Sequence, residues 1–465
     1  MRKVADKCYL PTNQLMYDLI KEYGTRFRIC YSISGTALDQ FEMYAPEVLE
    51  SFQRLVSTGC VEILGETYSH SLSSLRNKNE FVNQVNLHSN KIERLFGVRP
   101  TSFRNTELIY SDGIGEMAAE MGFKAILTEG AKHILGWKSP NYLYCNAINP
   151  KIKVLLKNFQ LSDDIAFRFS NRNWSEWPLT TEKYVSWLKA IDPKQEIVNL
   201  FMDYETFGEH QWAETGIFEF LKHLPKKVFS DTGFEFMTPS EVADIFDPVS
   251  AIHVPYPISW ADEERDLTAW LGNELQDDAF ENLYAMSERV RLIDDPDIQR
   301  DWRYLQTSDH FYYQCTKWFS DGDVHKYFNP YDTPYEAFIN YMNILSDFEI
   351  RLQQSDFQKT EIPLFIRKKE VHVFKPSTII QPGTELLMPE MVKQPKKVIR
   401  KKVTKKASPV EKAKATKAKA KSPEKAVTKT KNIAEKKTIE KKAKEKKIVK
   451  KKTAKKTSTK KQNNK

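Results

Sequence analysis

The chain has 465 residues, and its net charge of +9 is divided unevenly along its length. Residues 393–465 carry 31 Lys and Arg against 5 Glu, whereas the remainder carries 40 basic and 57 acidic residues. These numbers predict an acidic globular body with a basic tail, and the charge of the body excludes a nucleic-acid-binding domain. At this length the body has room for more than one domain.

The apolar residues and the cysteines predict the cellular setting. No apolar run approaches the roughly 20 residues that span a bilayer, so no membrane contact is expected. The opening MRKVADKCYL lacks the apolar core of a secretory signal. The five cysteines are scattered without metal-ligand spacing, which favours reduced thiols over a disulfide framework. A cytoplasmic protein is the expectation.

Short apolar runs alternate with helical patterns through the first half of the chain. Strands are predicted at 27–32, 61–64, 101–106 and 123–127. Helices separate them, from Pro46 to Gly59, through 81–96 and through 114–121. Such repeated strand–helix–strand units indicate an α/β fold with a parallel sheet, most simply a (β/α) barrel. Residues 140–178 look less regular and are predicted to be an insertion over the barrel mouth.

A further buried strand is predicted at 197–202, and acids crowd directly after it. Asp203, Glu205, Glu209 and His210 follow within eight positions. Acids at the carboxyl end of a buried strand lose solvation and repel one another, and in an α/β barrel that end carries the catalytic groups. A polar strand-to-helix loop that turns at Gly208 explains the same pattern equally well.

The second half of the chain turns from mixed to helical. A strand is predicted at 234–237, followed by a helix that a capping box at Thr238 opens. A second capping box, at Thr333, opens a long helix whose buried face is Phe338, Tyr341, Met342, Leu345, Phe348 and Leu352. The predicted domains are a barrel at 1–266, a helical domain at 267–354, an extension at 355–392 and a disordered Lys-rich tail at 393–465.

Two carboxylates occupy equivalent places in this plan. Glu107 follows the predicted strand at 101–106, and Asp203 follows the one at 197–202. Glycoside hydrolysis requires such a pair, because one carboxylate attacks the anomeric carbon while the other protonates the departing oxygen. Periodicity alone does not choose this pair over the other acids nearby, which are Glu62, Glu66, Glu205 and Asp262.

The aromatic and histidine residues say less about chemistry. Four tryptophans lie in loop-like sequence, where indoles stack on sugars, although hydrophobic packing explains any one of them as well: Trp137, Trp174, Trp177 and Trp260. The histidines show no H-x-x-x-H or H-x-x-E-H pattern. Neither a metal site nor a cofactor is therefore predicted.

Four segments resemble the successive signature regions of glycoside hydrolase family 57, above all its bacterial α-amylase branch. They are GCVEILGETYSHSL (59–72), SFRNTELIYSDGIGEM (102–117), LFMDYETFGEHQW (200–212) and PISWADEERDLTAWLGNELQ (257–276). The resemblance extends to about residue 354. It implies a seven-stranded (β/α) barrel with an attached helical domain, and a retaining attack on α-1,4-glucans or maltooligosaccharides.

The resemblance also implies roles for single residues. Glu107 falls on the family's nucleophile and Asp203 on its general acid/base. The motifs that line the sugar site contain His70, Trp212, Asp262 and Trp270. The same residues serve a 4-α-glucanotransferase or a glucan branching enzyme, so these activities remain alternatives to an α-amylase.

One motif of the family is missing. Its first barrel strand ends in His-Gln-Pro, and that triplet occurs nowhere in this chain. We therefore expect a barrel without its first strand, a segment of about 30 residues. A catalytically inactive glucan-binding protein is accordingly a further alternative. The tail at 393–465 is expected to be a solvated polycation, with attachment to a polyanion such as nucleic acid as a hypothesis.

Overall fold

A computed structural model describes residues 1–317 and 329–366, with the backbone alone for 356–366. All of these residues belong to one structural unit. The predicted Lys-rich tail and the predicted extension beyond residue 366 lie outside the described residues, so both stay predictions.

The strands of the described chain are short. They are β1 (Ile29–Tyr31), β2 (Val61–Ile63), β3 (Ser102–Arg104), β4 (Ala125–Glu129), β5 (Tyr144–Asn146), β6 (Lys153–Lys157) and β7 (Ser250–Ile252). The strands predicted at 27–32, 61–64 and 101–106 are confirmed as β1, β2 and β3. The strand predicted at 123–127 lies two residues further along the chain as β4.

These strands build one continuous wall. β1 pairs with β2, and a five-stranded sheet has the order β3-β4-β6-β5-β7. Gly65 joins the two sheets, because its N–H donates to the Ser102 carbonyl at 2.8 Å and its carbonyl accepts from the Arg104 N–H at 2.8 Å. All pairs are parallel except β5 with β6. The carboxyl ends of β3, β4 and β6 therefore meet at one edge.

The strands predicted at 197–202 and 234–237 are not found as strands. Both segments lack ladder pairing, and the first has isolated bonds such as that from the Asn158 N–H to the Asn199 carbonyl at 2.9 Å. Their apolar side chains pack against the core instead, because apolar composition reports burial and not strand pairing. The wall is thus open between β1 and β7 in the described residues. The seven-stranded barrel lacking its first strand stays a prediction.

The predicted insertion at 140–178 is also corrected. This region supplies β5 and β6, which lie inside the five-stranded sheet, and a helix at its end. The apolar run of β6 is brief and has a lysine at each end, so its pattern is too weak to stand out in the sequence.

Helices surround this wall. They are α1 (Arg2–Val4), α2 (Leu10–Tyr23), α3 (Gly35–Tyr44), α4 (Pro46–Val56), α5 (Lys78–Phe96), α6 (Asp112–Glu120), α7 (Lys132–Leu135), α8 (Phe159–Ala166), α9 (Thr181–Lys189), α10 (Ile217–Asp231), α11 (Pro239–Ile245), α12 (Glu274–Ala285), α13 (Ser287–Arg291), α14 (Pro296–Leu305), α15 (Asp309–Tyr312) and α16 (Pro334–Ile366). A π-helical turn, Ala5–Tyr9, joins α1 to α2. The helices predicted from Pro46 and through 81–96 are confirmed as α4 and α5.

The last helix packs on α12 and α14. Its predicted apolar face is confirmed, since Tyr341, Leu345, Phe348 and Leu352 are buried in the same cluster as Phe103 of β3. Thr333 caps this helix by accepting the Glu336 N–H at 3.1 Å. The helix continues to Ile366, past the predicted boundary at 354.

The N-terminal helices cover the segment that follows residue 202. Thr12 donates to the Phe207 carbonyl at 3.1 Å, and the Cys8 thiol donates to the Tyr204 carbonyl at 3.4 Å. Gly208 has φ +113°, and a Cβ there would lie 2.0 Å from the Lys7 carbonyl oxygen. Glycine is required because the two backbones touch at this point.

Two further findings concern the described residues as a whole. All five cysteines are free thiols, of which three are buried. No helix in the described ranges combines the length and apolar character that crossing a membrane demands.

Candidate active site

A cavity of about 1950 Å³ opens at the carboxyl edge of the wall. It is lined by both predicted catalytic carboxylates, Glu107 and Asp203, and by three of the predicted sugar-binding residues, His70, Asp262 and Trp270. The fourth, Trp212, is outside the lining. Its side chain is 58% exposed, with the Lys7 ammonium 5.4 Å from the ring centre.

Unusual backbone conformations cluster around this cavity. In the described part of the chain, five residues other than glycine have a left-handed backbone with φ between 51° and 56°: His70, Glu107, Leu108, Asp262 and Arg265. All five line the cavity. Since this conformation costs roughly 1–2 kcal/mol per residue, its concentration at one place marks a functional site.

Glu107 sits in a fixed turn directly after β3. Thr106 donates to the Ser71 carbonyl at 2.8 Å, and Thr128 donates to the Leu108 carbonyl at 3.0 Å. These bonds fasten the residues on both sides of Glu107 to neighbouring segments. The direction of its carboxylate is therefore set by the scaffold.

Cationic and N–H groups surround the Glu107 carboxylate. The His70 Nε2 lies 3.2 Å from Oε1, and the Trp260 Nε1–H donates to Oε2 at 2.6 Å. Burial opposes ionisation, but His70, Arg104 and Trp260 together lower the pKa of Glu107 to about 2. The side chain keeps 18% of its surface exposed to the cavity. Glu107 is thus an ionised carboxylate within reach of a ligand.

His70 bridges two carboxylates. Its Nδ1 lies 3.1 Å from the Glu66 Oε2, on the side away from Glu107. Burial alone would lower the pKa of His70, but the bonds to Glu107 and Glu66 raise it to about 10. The imidazole is therefore a cation at neutral pH.

Asp203 has the opposite surroundings. It precedes a short 3₁₀ turn, Tyr204–Thr206, and its side chain is exposed to the cavity. Restricted hydration and repulsion by Glu205 and Glu107 raise its pKa to about 6, against the opposing attraction of Arg104 and His210. Asp203 therefore holds a proton more readily than an ordinary aspartate.

Two residues of the site were not assigned these roles from the sequence. The Tyr9 hydroxyl, on the π-helical turn, donates to the Glu205 side chain, which is close to Asp203. Trp260, expected to stack on sugar or pack, donates to Glu107 instead, and its ring lies 5.0 Å from the Arg104 guanidinium. No local pattern reveals these contacts, because their partners are about 150 to 200 positions apart in the chain.

The structure places the other candidate acids in different surroundings. Glu62 points away from the cavity and accepts from the Ser240 N–H at 3.0 Å. Glu66 and Glu205 line the cavity beside the two principal carboxylates. Asp262 lies 3.7 Å from the Lys317 ammonium. Within the described ranges, no three His, Cys, Asp or Glu side chains are grouped so that they could hold a metal ion.

Scaffold and site together define a class of protein. An ionised carboxylate and a carboxyl group with a raised pKa face one cavity at the carboxyl edge of a largely parallel sheet. Pairs whose pKa values are pushed apart in this way divide acid and base work between them. The arrangement is that of an α/β enzyme whose cavity holds two carboxyl groups with opposite tendencies to hold a proton.

Comparison with known proteins names the family. Residues 1–255 match the family model for glycosyl hydrolase family 57. A protein of Methanocaldococcus jannaschii named "Putative alpha-amylase" is 46% identical over 372 residues, which cover 77% of this chain and 78% of that protein. The chain belongs to glycosyl hydrolase family 57, and the family expected from the four signature segments is confirmed.

Solved structures share the fold. A branching enzyme of this family from Thermococcus kodakaraensis superposes with a TM-score of 0.57 at 13% identity, covering 74% of this chain and 84% of that one. The 4-alpha-glucanotransferase of Thermococcus litoralis gives a TM-score of 0.52 at 16% identity, covering 67% of this chain and 52% of that one. At these identities the likeness concerns the α/β scaffold.

Proposed function

We propose that the protein is a retaining glycoside hydrolase of the α-amylase type, acting on α-1,4-glucans with Glu107 as nucleophile and Asp203 as general acid/base. One observation carries this proposal: the same cavity holds a glutamate whose pKa is lowered to about 2 and an aspartate whose pKa is raised to about 6. A nucleophile must be ionised, whereas an acid catalyst must bring a proton.

In the first half-reaction a Glu107 oxygen attacks the anomeric carbon. The bond from that carbon to the leaving sugar oxygen breaks, and the proton of Asp203 passes to this oxygen. The product is a glycosyl ester on Glu107. The Trp260 N–H and the His70 imidazolium aim the attacking carboxylate, because each holds one of its oxygens.

In the second half-reaction Asp203, now ionised, takes a proton from water. The water oxygen bonds to the anomeric carbon, the ester bond breaks, and its electron pair returns to Glu107. Two displacements at one carbon restore the starting configuration. Asp203 recovers its proton at the same time, so the site is ready for another cycle.

Sugar binding is assigned to the other cavity residues. His70, Asp262 and Trp270 line the cavity beside Glu107, and Trp212 offers an exposed indole on the loop that follows Asp203. An exposed indole gives a sugar ring an apolar face to stack on. Each of these roles rests on the family motifs together with this placement.

The experiment that tests the proposal follows the anomeric configuration of the first product. Proton NMR of a maltooligosaccharide digest should show the α-anomer before mutarotation. Peptide mapping of the enzyme inactivated by a fluorinated maltosyl fluoride should place the label on Glu107. A β-anomer at early times, or a label on another carboxylate, would overturn the proposal.

A 4-α-glucanotransferase or a branching enzyme is the second candidate. Both solved relatives named above have such activities in their names, and both activities use the same glycosyl ester. They differ in whether water or a sugar hydroxyl takes the glycosyl group. Digestion of maltoheptaose separates them, because hydrolysis gives only shorter products whereas transfer also gives longer ones.

The remaining roles concern the inactive alternative, the tail and the compartment. If no substrate is turned over while maltoheptaose still binds, the protein is a glucan-binding module, as the missing His-Gln-Pro triplet allows.

Residues 393–465, with 31 Lys and Arg against 5 Glu, are proposed to contact a polyanion. A cytoplasmic location is proposed from the unpaired thiols.

A further inference from the structure

A chain of hydrogen bonds leads from the core to the proposed nucleophile. The Ser32 hydroxyl donates to Glu66 Oε1 at 2.9 Å. The Glu66 Oε2 lies 3.1 Å from His70 Nδ1, and His70 Nε2 lies 3.2 Å from Glu107 Oε1. Glu66 itself is 1% exposed and lies behind His70 as seen from Glu107. It has no direct bond to the reacting centre.

The number of protons shared among Glu66, His70 and Glu107 determines the charge of His70. Each of the two contacts between the imidazole and a carboxylate requires one N–H proton. A neutral imidazole supplies one such proton, so two ionised carboxylates are both satisfied only by the imidazolium. The hydrogen bond and charge of His70 hold the pKa of Glu66 below its usual range in spite of burial. In the resting enzyme Glu66 is therefore a carboxylate, His70 an imidazolium and Glu107 a carboxylate.

Glu66 is held rigidly in its place. Its backbone N–H donates to His88 Nδ1 at 3.3 Å, and His88 Nε2 donates to the Ile33 carbonyl at 2.9 Å. Burial lowers the pKa of His88, which agrees with a neutral ring that accepts at one nitrogen and donates at the other. Two further charged groups interact electrostatically with these residues: Arg104 with Glu66, and Asp203 with Glu107.

We propose that Glu66 is a positioning residue that keeps His70 charged and aimed at Glu107 through both half-reactions. The inference rests on the proposed function, because it assigns Glu66 a part in the double displacement. It differs from a purely structural role, since it concerns the protonation of His70 in the intermediate. Glu66 acts through His70 and touches no reacting atom.

The need for Glu66 arises when the ester forms. Glu107 then loses its negative charge to the new bond with the anomeric carbon, and His70 retains one anionic partner, Glu66. When water attacks, the ester electron pair returns to Glu107, which departs as a carboxylate beside the imidazolium. A charged His70 stabilises that departing carboxylate, whereas a neutral ring does so less.

The test is the pH dependence of kcat for Glu66→Gln in the full-length protein. An aryl α-maltoside with a good leaving group should make hydrolysis of the ester rate-limiting, which a burst of aryloxide verifies. In the parent, the alkaline fall of kcat should reflect His70, whose pKa in the ester is still raised by the hydrogen bond and charge of Glu66. In the variant this fall should move towards the ordinary value of about 6.5, so that kcat at pH 8 falls by up to about thirtyfold.

Glu62→Gln is the matched control. Glu62 is on β2 and accepts from Ser240, outside the cavity, so its loss should leave the alkaline fall of kcat where the parent has it. Glu66→Asp keeps the charge and should restore part of the parent profile. A folded Glu66→Gln enzyme with the parent profile would overturn the inference. Failure of the proposed function looks different, because Glu107→Gln would then remain active.

A second measurement covers the case in which Glu66→Gln does not fold. Imidazole ¹⁵N shifts can be recorded on the parent protein after Glu107 has been trapped as a fluoroglycosyl ester. A doubly protonated His70 at pH 8 supports the role of Glu66. A neutral His70 in the trapped ester overturns it, because the charge would then depend on Glu107 alone.

Discussion

Glu107 and Asp203 carry the same functional group and face the same cavity, yet their neighbourhoods differ. Glu107 follows a hydrogen-bonded strand, β3, and its carboxylate meets an imidazolium and an indole N–H. Asp203 follows a segment without ladder pairing and meets the charge of Glu205. One carboxylate is stabilised by its surroundings, and the other is repelled.

This difference shows that neighbouring residues move the pKa values of the two carboxyl groups in opposite directions. Arg104 attracts both carboxylates, so it does not separate them. His70 is bonded to Glu107, whereas Glu205 raises the pKa of Asp203. The predictions below test this comparison from the largest expected effect to the smallest.

Replacing the stabilised carboxylate should have the largest effect. Glu107→Gln has nearly the same shape but cannot form an ester, so kcat on maltooligosaccharides should fall by several powers of ten, as expected for the loss of a nucleophile. A near-ultraviolet circular dichroism spectrum like that of the parent would show that the fold persists. Activity within tenfold of the parent means that another carboxylate attacks.

Replacing the repelled carboxylate should have an effect that depends on the substrate. Asp203→Asn should reduce kcat/KM on maltooligosaccharides by about 10²–10⁴, because their leaving oxygen needs a proton. An aryl α-maltoside with an acidic leaving group should lose far less in the first half-reaction. Azide should restore part of the turnover by replacing the activated water. Equal losses on both substrates, with no azide effect, would remove Asp203 from this role.

The repulsion itself can be tested by pH. In the parent, kcat/KM should decline as the pH rises through about 6, where free Asp203 loses its proton. Glu205→Gln removes a charge that raises the pKa of Asp203, so the decline should begin at lower pH. Tyr9→Phe keeps the Glu205 charge and serves as the matched control. An unmoved profile in Glu205→Gln would show that burial and Glu107 raise this pKa without Glu205.

Stability should change in opposite directions at the two positions. The folded-state pKa of Glu107 is about 2, below the ordinary value of about 4.3, so its ionised form stabilises the fold above pH 4.3 and this contribution disappears towards pH 2. The pKa of Asp203 is raised to about 6, so its ionised form destabilises the fold above that pH. At pH 7.5, Glu107→Gln should lower Tm by a few degrees, whereas Asp203→Asn should raise it by less, because solvent screens the exposed Asp203. Calorimetry at pH 7.5 and pH 4 checks the sign, since the gain from Asp203→Asn should disappear at the lower pH.

The smallest effect on catalysis is expected from the basic tail. Deleting residues 393–465 should leave kcat/KM on neutral oligosaccharides unchanged, because a cationic segment has little to offer an uncharged substrate. Retention on heparin at low salt should fall sharply. A truncated protein that is retained as strongly as the parent would point to a basic patch on the body.

Much of the site could be predicted from the sequence because its motifs are local. Glu107 stands three residues after Arg104, the end of β3, and Asp203 follows an apolar run, so both positions can be read from short segments. The apolar residues of 197–202 pack against the core as predicted, but the strand predicted there is absent. Apolar residues report that a segment is covered, whereas pairing depends on which neighbour lies beside it.

The contacts that separate the two carboxylates could not be predicted. Trp260 reaches Glu107 from 153 positions away, and Tyr9 reaches Glu205 from 196 positions away. Such long-range contacts follow from the packing of whole helices and strands. Likewise, the sequence does not distinguish Glu66 from the other candidate acids, whereas the structure places it against His70.

The left-handed residues around the cavity have a consequence for laboratory evolution. Five residues other than glycine hold this backbone conformation in the described part of the chain, and glycine or asparagine would adopt it at lower cost. Selection for heat resistance alone should therefore favour such replacements at Asp262 or Arg265, where they release backbone strain and remove side chains that line the cavity. Stabilising changes on α16, which does not line the cavity, should carry no such penalty. Heat-resistant descendants of this enzyme should thus divide into an active group and an inactive group according to where their substitutions fall.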